Sequence, residues 1–403
     1  MNTEIELYAD ESLESFLLRC SMYQGYQRYA HFAQDIWQDT LIQHEAMVGA
    51  FPFELSRVNV YKAQTSSQMR VRVLLTLERQ LKLNDFGIIR LVLAHSKASF
   101  SPGHKAVYRS GVDYPHAFLR KHFVPICPKC LEESTYIRQL WHFIPYQVCH
   151  KHQCQLVHQC PECGSRLDYQ QSEFLDICEC GFPLVSCSSE LGTDSALLVA
   201  RWLAGEAQIE SGLMSQELTQ SGRFGFLFWY LNRYGEIDDT SFEDFVDCCT
   251  TWPQKIYADL DSIVQKADVV RIQPWNKTYF SEVFGDLLKE CRNLPSRELS
   301  KNPVLVNVVR YFSSLISKNP RMKSGNIGDV LLSPLDASTV LSCRTEEIYR
   351  LYQFGELKAQ VTPKLHSKIE NHHSVFTLRS IIEIKLSRMC SECDGLNHYL
   401  SEW

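Results

Sequence analysis

Four pairs of cysteine and histidine residues lie within one short stretch, between residues 127 and 180. In chain order, the pairs are Cys127 with Cys130, Cys149 with His152, Cys160 with Cys163, and Cys178 with Cys180. Thiolate and imidazole groups are the ligands of structural zinc, usually four to an ion from two such pairs. The spacing therefore predicts two tandem zinc fingers with one Zn²⁺ in each.

Neighbouring residues offer alternative ligands. His150 and Cys154 lie close enough to compete in the first finger, but the C-x2-H spacing of His152 repeats the geometry of the other half and favours it. In the second finger the last pair is a shortened C-x-C, with Gly181 after it, and Cys187 is a reserve thiol.

Both ligand sets are complete, which predicts a structural role. Four protein ligands leave no position for an activated water. The chain also lacks the H-x-E and P-C-x-x-C motifs of a nucleobase deaminase and the H-E-x-x-H motif of a metalloprotease. We therefore predict no catalytic residues and no enzymatic activity.

The bulk composition is that of a globular protein of several domains. The chain has 403 residues and 16 cysteines, and nine of those cysteines fall between Cys127 and Cys187. No basic and apolar signal segment is visible at the N-terminus, and the longest apolar runs are too short to span a bilayer. Reduced, metal-binding thiols and a cytoplasmic location are expected, with no membrane contact.

The formal charge of −6 is unevenly spread. Residues 54–125 hold twelve Lys and Arg against four Asp and Glu, whereas residues 190–300 hold ten against eighteen. The basic region is the better candidate for a surface that faces phosphates. Solvated surface is the alternative for both regions.

The N-terminal region has the pattern of small amphipathic helices. One helix is predicted from near Asp10, capped by Asp10 or Ser12, with Leu13, Phe16, Leu17 and Cys20 inward. A second is predicted over Tyr29–Trp37. A third, over Met69–Leu83, should bury Val71, Leu74, Leu75 and Leu81 and leave Arg70, Arg72, Arg79 and Lys82 to solvent. The pattern fits a helix-turn-helix-like domain and a plain helical bundle equally well.

The segment from His104 to Pro125 interleaves basic and aromatic residues. Such a segment suits contact with nucleic acid, or an ordinary loop that packs on the fingers. Beyond it, residues 195–315 read as an acidic helical region. Its tryptophans are predicted core residues: Trp202, Trp229, Trp252 and Trp275.

A second helix pair is predicted near the C-terminus. Ser333 and Asp336 form an S-x-x-D capping signature, and Thr345 is the expected cap of the following helix, which should end at Gly355. This layout is that of a helix-turn-helix. Glu346 and Glu347 stand where such a helix would meet DNA, so protein contact or a scaffold role competes with DNA reading.

Together these patterns predict a mainly α protein. The expected domains are an N-terminal helical, helix-turn-helix-like domain (1–103), a tandem zinc-finger region (104–190), an acidic helical domain (191–320) and a C-terminal helix-turn-helix domain (321–403).

Several of these motifs resemble those of one family. The stretch D-E-S-L-E-S-F-L-L-R (Asp10–Arg19), followed by Gly25, is similar to the opening motif of the TniQ family. The C-P-K-C-L, the Trp141 before C-H-K-H, and the C-P-E-C-G and C-E-C-G of the second finger also resemble that family. The likeness runs over residues 8–188 and more weakly beyond. It is greatest to TniQ proteins of Tn7-like transposons that carry a type I CRISPR system.

The resemblance implies a non-catalytic adapter for target selection. Such an adapter would work as a homodimer docked on the RNA-guided Cascade complex and recruit the AAA+ regulator TnsC, which brings the transposase. Target DNA would then be contacted indirectly, since the guide supplies the sequence choice. The related TnsD branch instead binds a fixed chromosomal site itself, which is the alternative.

Overall fold

The computed structural model of the chain describes residues 5–43, 50–63, 67–83, 86–101, 103–206, 212–215, 217–235, 242–360 and 369–393. These residues form sixteen α-helices and seven short β-strands, so the predicted mainly α class is confirmed. None of these helices combines the length and apolar character that a membrane span requires.

Internal contacts divide the chain into two units, described separately below. The first comprises residues 1–97, 104–208 and 231–246, and the second comprises residues 98–103, 209–230 and 247–403. The finer division into four regions remains a prediction.

Seven helices and five strands precede residue 205. The helices are α1 (Leu13–Tyr23), α2 (Tyr29–Gln43), α3 (Ser67–Gln80), α4 (Gly87–Leu91), α5 (Pro128–Glu133), α6 (Tyr169–Ser172) and α7 (Asp194–Ala204). The strands are β1 (Ala94–Ser99), β2 (Lys105–Arg109), β3 (Val112–Pro115), β4 (Val148–Cys149) and β5 (Cys154–Gln155).

Helix α1 forms as its pattern predicts. The Ser15 amide donates to the Ser12 side chain at 3.2 Å, so Ser12 is the cap and Asp10 is not. The predicted inward residues are all buried: Leu13, Phe16, Leu17 and Cys20. Helix α2 starts at Tyr29 as predicted and extends six residues beyond Trp37.

The predicted inward face of α3 is only partly correct: Leu74 is buried and Arg72, Arg79 and Lys82 are exposed as expected, but Val71, Leu75, Leu81 and Arg70 differ. Its buried apolar residues are Val73, Leu74 and Leu77, and Val71 and Leu75 are only partly covered. Arg70, expected in solvent, is 7% exposed because its guanidinium donates to three backbone carbonyls. These acceptors lie on residues 50–59, and no feature of α3 itself predicts them.

The segment after His104 is a β-hairpin, not a loop. Strands β1, β2 and β3 form one sheet in that order, and β2 and β3 run antiparallel with Arg109 opposite Val112. Ser110 and Gly111 form the turn, both with positive φ (48° and 88°). Such a two-residue turn suits the twist of a hairpin.

The remaining elements lie after residue 219. The helices are α8 (Gln220–Tyr234), α9 (Glu243–Thr250), α10 (Gln254–Val270), α11 (Phe280–Phe284), α12 (Leu287–Cys291), α13 (Pro303–Lys318), α14 (Pro334–Val340), α15 (Thr345–Gln353) and α16 (Leu378–Cys393). Strands β6 (Leu331–Leu332) and β7 (Phe376–Thr377) pair antiparallel.

Aromatic packing fills the core of the second unit. The Phe312 ring of α13 contacts the rings of Phe280 and Phe284 of α11, with centroids 5.6 and 5.1 Å apart. Trp229 and Trp252 meet edge to face at 5.7 Å. The four tryptophans predicted as core residues are buried: Trp229, Trp252 and Trp275 in the second unit, and Trp202 in the first.

Helices α14 and α15 form the predicted C-terminal pair. Ser333 and Asp336 make the full capping box of α14, and Gly355 follows the end of α15 with a φ of 77°. The predicted cap Thr345 is instead the first residue of α15, and the side chain of Arg344, which stands at the cap, makes no capping hydrogen bond. Assignment of the pair as a helix-turn-helix remains a prediction.

Candidate metal centres

The structure brings the four residues of the first predicted finger together. The ligand atoms of Cys127, Cys130, Cys149 and His152 all lie within 4.8 Å of one another. Cys130 Sγ is 3.5 Å from Cys149 Sγ and 3.3 Å from His152 Nδ1. We call this set the first centre.

Two local structures position these side chains. Cys127 and Cys130 lie at the start of α5, where Pro128 occupies the first turn and fixes the backbone in a helical conformation. Cys149 ends β4, and His152 lies in the turn before β5. The other ring nitrogen of His152 is 2.9 Å from Glu133 Oε1, which orients the imidazole with Nδ1 toward the sulfurs.

The alternative ligands take different positions. His150 lies apart from the cluster, because its Nδ1 is 2.6 Å from the Tyr146 hydroxyl and its Nε2 is 3.2 Å from Glu206. Cys154 lies at the edge of the first centre, with its sulfur 3.6 Å from that of Cys127. It is not one of the four mutually close ligands.

The second predicted set also comes together. The sulfurs of Cys160, Cys163, Cys178 and Cys180 lie within 4.8 Å of one another, and we call them the second centre. The Gly164 amide donates to the Cys160 carbonyl and the Gly181 amide to the Cys178 carbonyl, at 2.9 and 2.8 Å.

The two hydrogen bonds of Gly164 and Gly181 close tight turns, each of which reverses the chain directly after a cysteine pair. Gly164 and Gly181 have φ of 71° and 90°, a conformation that glycine adopts without steric cost. Cys163 and Cys180 are exposed, so the second centre is nearer to solvent than the first. The reserve thiol Cys187 is buried and is not part of the set.

The distances fit a bound tetrahedral ion. A Zn–S bond of ~2.3 Å places the sulfurs of a tetrahedral site ~3.8 Å apart. The Cys160–Cys180 and Cys163–Cys178 sulfur distances are 3.7 and 3.6 Å, and those of the first centre are similar. Both centres could therefore hold a metal ion with protein ligands alone.

In each centre the pKa of one thiol is lowered, toward the metal-binding thiolate form, and the pKa of two others is raised. Hydrogen bonds from Cys127 and Cys130 hold the pKa of Cys149 far below its usual range. The same contacts raise the pKa of Cys127. In the second centre, hydrogen bonds with Ser165 lower the pKa of Cys163 to about 6.

The N-terminal motif attaches α1 to the chain between the halves of the first centre. The Tyr136 hydroxyl donates to Asp10 at 2.8 Å, and the Arg138 guanidinium pairs with the other oxygen of that carboxylate. The Ser12 amide donates to the Ile137 carbonyl at 2.9 Å. The amide of Ile137 donates in turn to Ser15 Oγ at 2.9 Å.

A buried chain of polar groups extends this attachment to the second finger. The hydroxyl of Tyr169 in α6 is 2.9 Å from Ser12 Oγ and 3.0 Å from His142 Nε2. Burial, with the nearby Arg120 and Arg109 charges, lowers the pKa of His142 to about 3. His142 is therefore neutral at pH 7, as a buried group without an anionic partner must be.

Sequence reasoning missed most of this supporting set. Arg138, His142 and Tyr169 carry no motif of their own, and Tyr169 lies 157 residues from Ser12. The repeated hydroxyl and carboxyl groups of the N-terminal motif (Asp10, Ser12 and Ser15) were the available signal. Polar side chains next to a buried helix face need hydrogen-bond partners, and these must come from elsewhere in the chain.

Comparison with known protein families identifies a match to the N-terminal part of the chain. None of the curated proteins compared with the chain matches it. The model of the TniQ family matches residues 3–156, a range that contains the N-terminal motif and the whole first centre. Residues 3–156 therefore resemble the TniQ family.

Proposed function

We propose that this chain is a non-catalytic target-selection adapter of a Tn7-like transposon. The adapter joins an RNA-guided Cascade complex to the AAA+ regulator TnsC, which brings the transposase. The TniQ match over residues 3–156 carries this proposal, since it includes the motif that ties α1 to the first centre. TniQ proteins are adapters and DNA-associated factors of transposition, so chemistry on DNA falls to a partner. The expected location is the bacterial cytoplasm.

The two centres have a structural role in this proposal. Each holds one Zn²⁺, with Cys127, Cys130, Cys149 and His152 as one ligand set and Cys160, Cys163, Cys178 and Cys180 as the other. All eight ligands come from the protein, so neither ion has a position for a reacting water. The first ion joins α5 to the β4–β5 hairpin, which fixes the segment where the N-terminal motif attaches.

Co-purification tests the adapter function. The full chain, tagged and co-expressed with a Cascade complex and TnsC, should retain both on the affinity column after a moderate-salt wash. Light scattering of the purified chain should give the mass of a homodimer. Failure of folded chain, Cascade and TnsC to associate in any pair would reject the adapter proposal.

One surface feature favours a second candidate function, direct DNA binding of the TnsD kind. We define the His116 surface as five exposed basic residues of the first unit: Lys62, His95, Lys105, His116 and Lys121. The hairpin register sets Ala106 opposite Pro115, so Lys105 and His116 are the next residues at its open end. The His116 ring meets Tyr61 edge-on at 5.8 Å, and the Lys62 ammonium is 5.1 Å from the same tyrosine ring.

The positive charge of the His116 surface comes from its three exposed lysines, Lys62, Lys105 and Lys121. Burial lowers the pKa of His116, and the charges of Lys62, Lys105, Lys121 and His95 lower it further. Cations gathered in this way attract a phosphate backbone and release its counterions on contact. A nucleic acid is therefore the partner that the charge of this surface fits.

A charge-reversal series tests the second function. The variant K62E/K105E/K121E should weaken binding to duplex DNA at least about tenfold. The slope of the logarithm of the binding constant against the logarithm of salt concentration should fall by the equivalent of about two to three phosphate contacts. The matched control K266E/K277E/K318E reverses three exposed lysines of the second unit and should leave binding unchanged. Equal losses in both variants, or equal feeble binding of the native chain to every sequence, would reject direct site selection.

A further inference from the structure

The first centre has a fifth sulfur within reach. Cys154 is 1% exposed, and its sulfur lies 3.6 Å from that of Cys127, a distance typical of two ligands on one ion. Cys154 is nevertheless outside the set of four mutually close ligands. The Cys154 sulfur thus lies beside the first centre, in contact with Cys127, without being one of its four ligands.

The backbone holds Cys154 independently of His152. Cys149 and Cys154 are directly opposite in the β4–β5 pair, and residues so paired project their side chains to the same face of the strands. On the other side of β5, Cys154 bridges Leu191, and the Gln155 amide donates to the Glu190 carbonyl at 2.8 Å. The strand carrying Cys154 is therefore anchored along both edges.

His152 occupies a less anchored and more exposed position. It lies in the turn that joins the two strands, next to Gln153 with a φ of 57°. Its side chain is 16% exposed, and the Glu133 carboxylate that orients it is 58% exposed. Movement of His152 away from the ion would disturb the turn and leave the strand pairing intact.

We propose that Cys154 is the replacement ligand of the first centre. When the bond from His152 Nδ1 to the ion breaks, Cys154 loses its thiol proton to solvent and its sulfur bonds to the ion. The set becomes Cys127, Cys130, Cys149 and Cys154, and no electron is transferred. The 3.6 Å spacing of the Cys154 and Cys127 sulfurs is close to the distance expected between two ligands of that four-thiolate set.

This inference rests on the metal binding proposed above and is independent of any role in transposition. Its ligand is a divalent cation that accepts four thiolates, such as Zn²⁺ or the spectroscopic probe Co²⁺. An ion held in this way stays bound when the imidazole is lost, so the α5–hairpin junction keeps its geometry.

Metal counting on four forms of the full chain tests the proposal. Each form is purified with Zn²⁺, exposed to a competing chelator that leaves both ions on the native chain, and analysed for zinc. The native chain, His152→Ala and Cys154→Ser should each retain two ions. The double variant H152A/C154S should retain only the ion of the second centre.

Cobalt absorption provides a second readout that a merely structural role of Cys154 would not change. In His152→Ala, the thiolate-to-cobalt band should rise by about one-seventh, because one nitrogen ligand is replaced by a sulfur. In the double variant, the contribution of the first centre should disappear. The milder His152→Gln repeats the series if alanine disrupts folding, as checked by circular dichroism.

Three results would overturn the proposal. His152→Ala could lose an ion, the double variant could keep both, or Cys154→Ser alone could lose one. A native chain that binds fewer than two ions would instead contradict the metal assignment itself. That failure is distinguishable, because it appears before any variant is made.

Discussion

Arg109 is buried at the end of β2. It lies in a segment whose basic residues are predicted from the sequence to contact nucleic acid or to lie in a loop. Its guanidinium donates to Gln139 Oε1 at 2.7 Å and to the carbonyls of Ala9 and Glu11 at 2.9 and 2.7 Å. The residue thus joins the β2–β3 hairpin to the N-terminal motif and to the segment between the finger halves.

Replacing this guanidinium should destabilise the first unit. Arg109→Met removes the donor to two buried acceptors, Gln139 Oε1 and the Glu11 carbonyl, and to the part-buried Ala9 carbonyl. We expect a loss of about 3 kcal/mol in the free energy of unfolding. The exposed Arg72 of α3 is the matched control, and Arg72→Met should change stability by less than about 0.5 kcal/mol. Denaturant titration measures both, and equal effects would show that the hydrogen bonds of Arg109 contribute nothing.

His142 predicts a specific pH dependence. Its pKa is about 3 in the folded chain, against an ordinary value of 6.5. Between these values the unfolded chain binds a proton that the folded chain does not. Folding is therefore destabilised as the pH falls below 6.5, by up to about 1.4 kcal/mol per pH unit.

The variant His142→Gln separates this effect from acid release of metal. Native chain and variant both lose ions in acid, but only the native chain carries the titrating imidazole. The stability advantage of the native chain should shrink between pH 7 and pH 5, as followed by thermal unfolding. An advantage that stays constant over this range would contradict the buried, neutral assignment.

Among the elements, the capping box of α14 has the most direct energetic consequence. Ser333 Oγ accepts from the Asp336 amide, and the Asp336 carboxylate accepts from the Ser333 amide and hydroxyl. Ser333→Ala should cost about 1 kcal/mol of stability. Ser317, exposed on α13, is the control, and Ser317→Ala should be close to neutral. Matching melting temperatures for the two variants would refute the role of the cap.

The predictability of each element follows from where its determinants lie. Helix α1 is predicted correctly because its cap Ser12 and its apolar stripe lie within one segment. The buried face of α3 is missed because Arg70 points inward to carbonyls on residues 50–59. The β2–β3 hairpin is missed because the basic and aromatic composition of the segment indicates a nucleic-acid contact or a loop. Its turn signal, Ser110-Gly111, is short and local.

At the scale of the whole molecule, the ligands are the most predictable feature. Their spacing is typical of zinc ligands, so the eight residues that meet in space can be identified without a fold. The choice among His150, His152 and Cys154 needs the fold, because all three lie within five residues. Only the structure reveals that Tyr146 and Glu206 hold His150 away.

The supporting framework is the least predictable feature. The contacts of Asp10, Ser12 and Ser15 with residues 136–169 join parts of the chain that the sequence divides into separate domains. Such pairings depend on long-range topology, which one sequence does not contain. The metal centres acquire their proposed role through this framework, because they fix the segment to which α1 is attached.

We propose that two closed metal centres hold the region matched by the TniQ model and its neighbouring finger in shape. Elemental analysis of the folded chain and of two variants, one ligand removed from each centre, tests it most directly. We predict two zinc ions in the native chain and one each in Cys130→Ser and Cys163→Ser. Because structural zinc contributes on the order of 10 kcal/mol to folding, Cys130→Ser should also lose the structure around α5. Folded native chain without zinc, or variants that keep both ions, would contradict the claim.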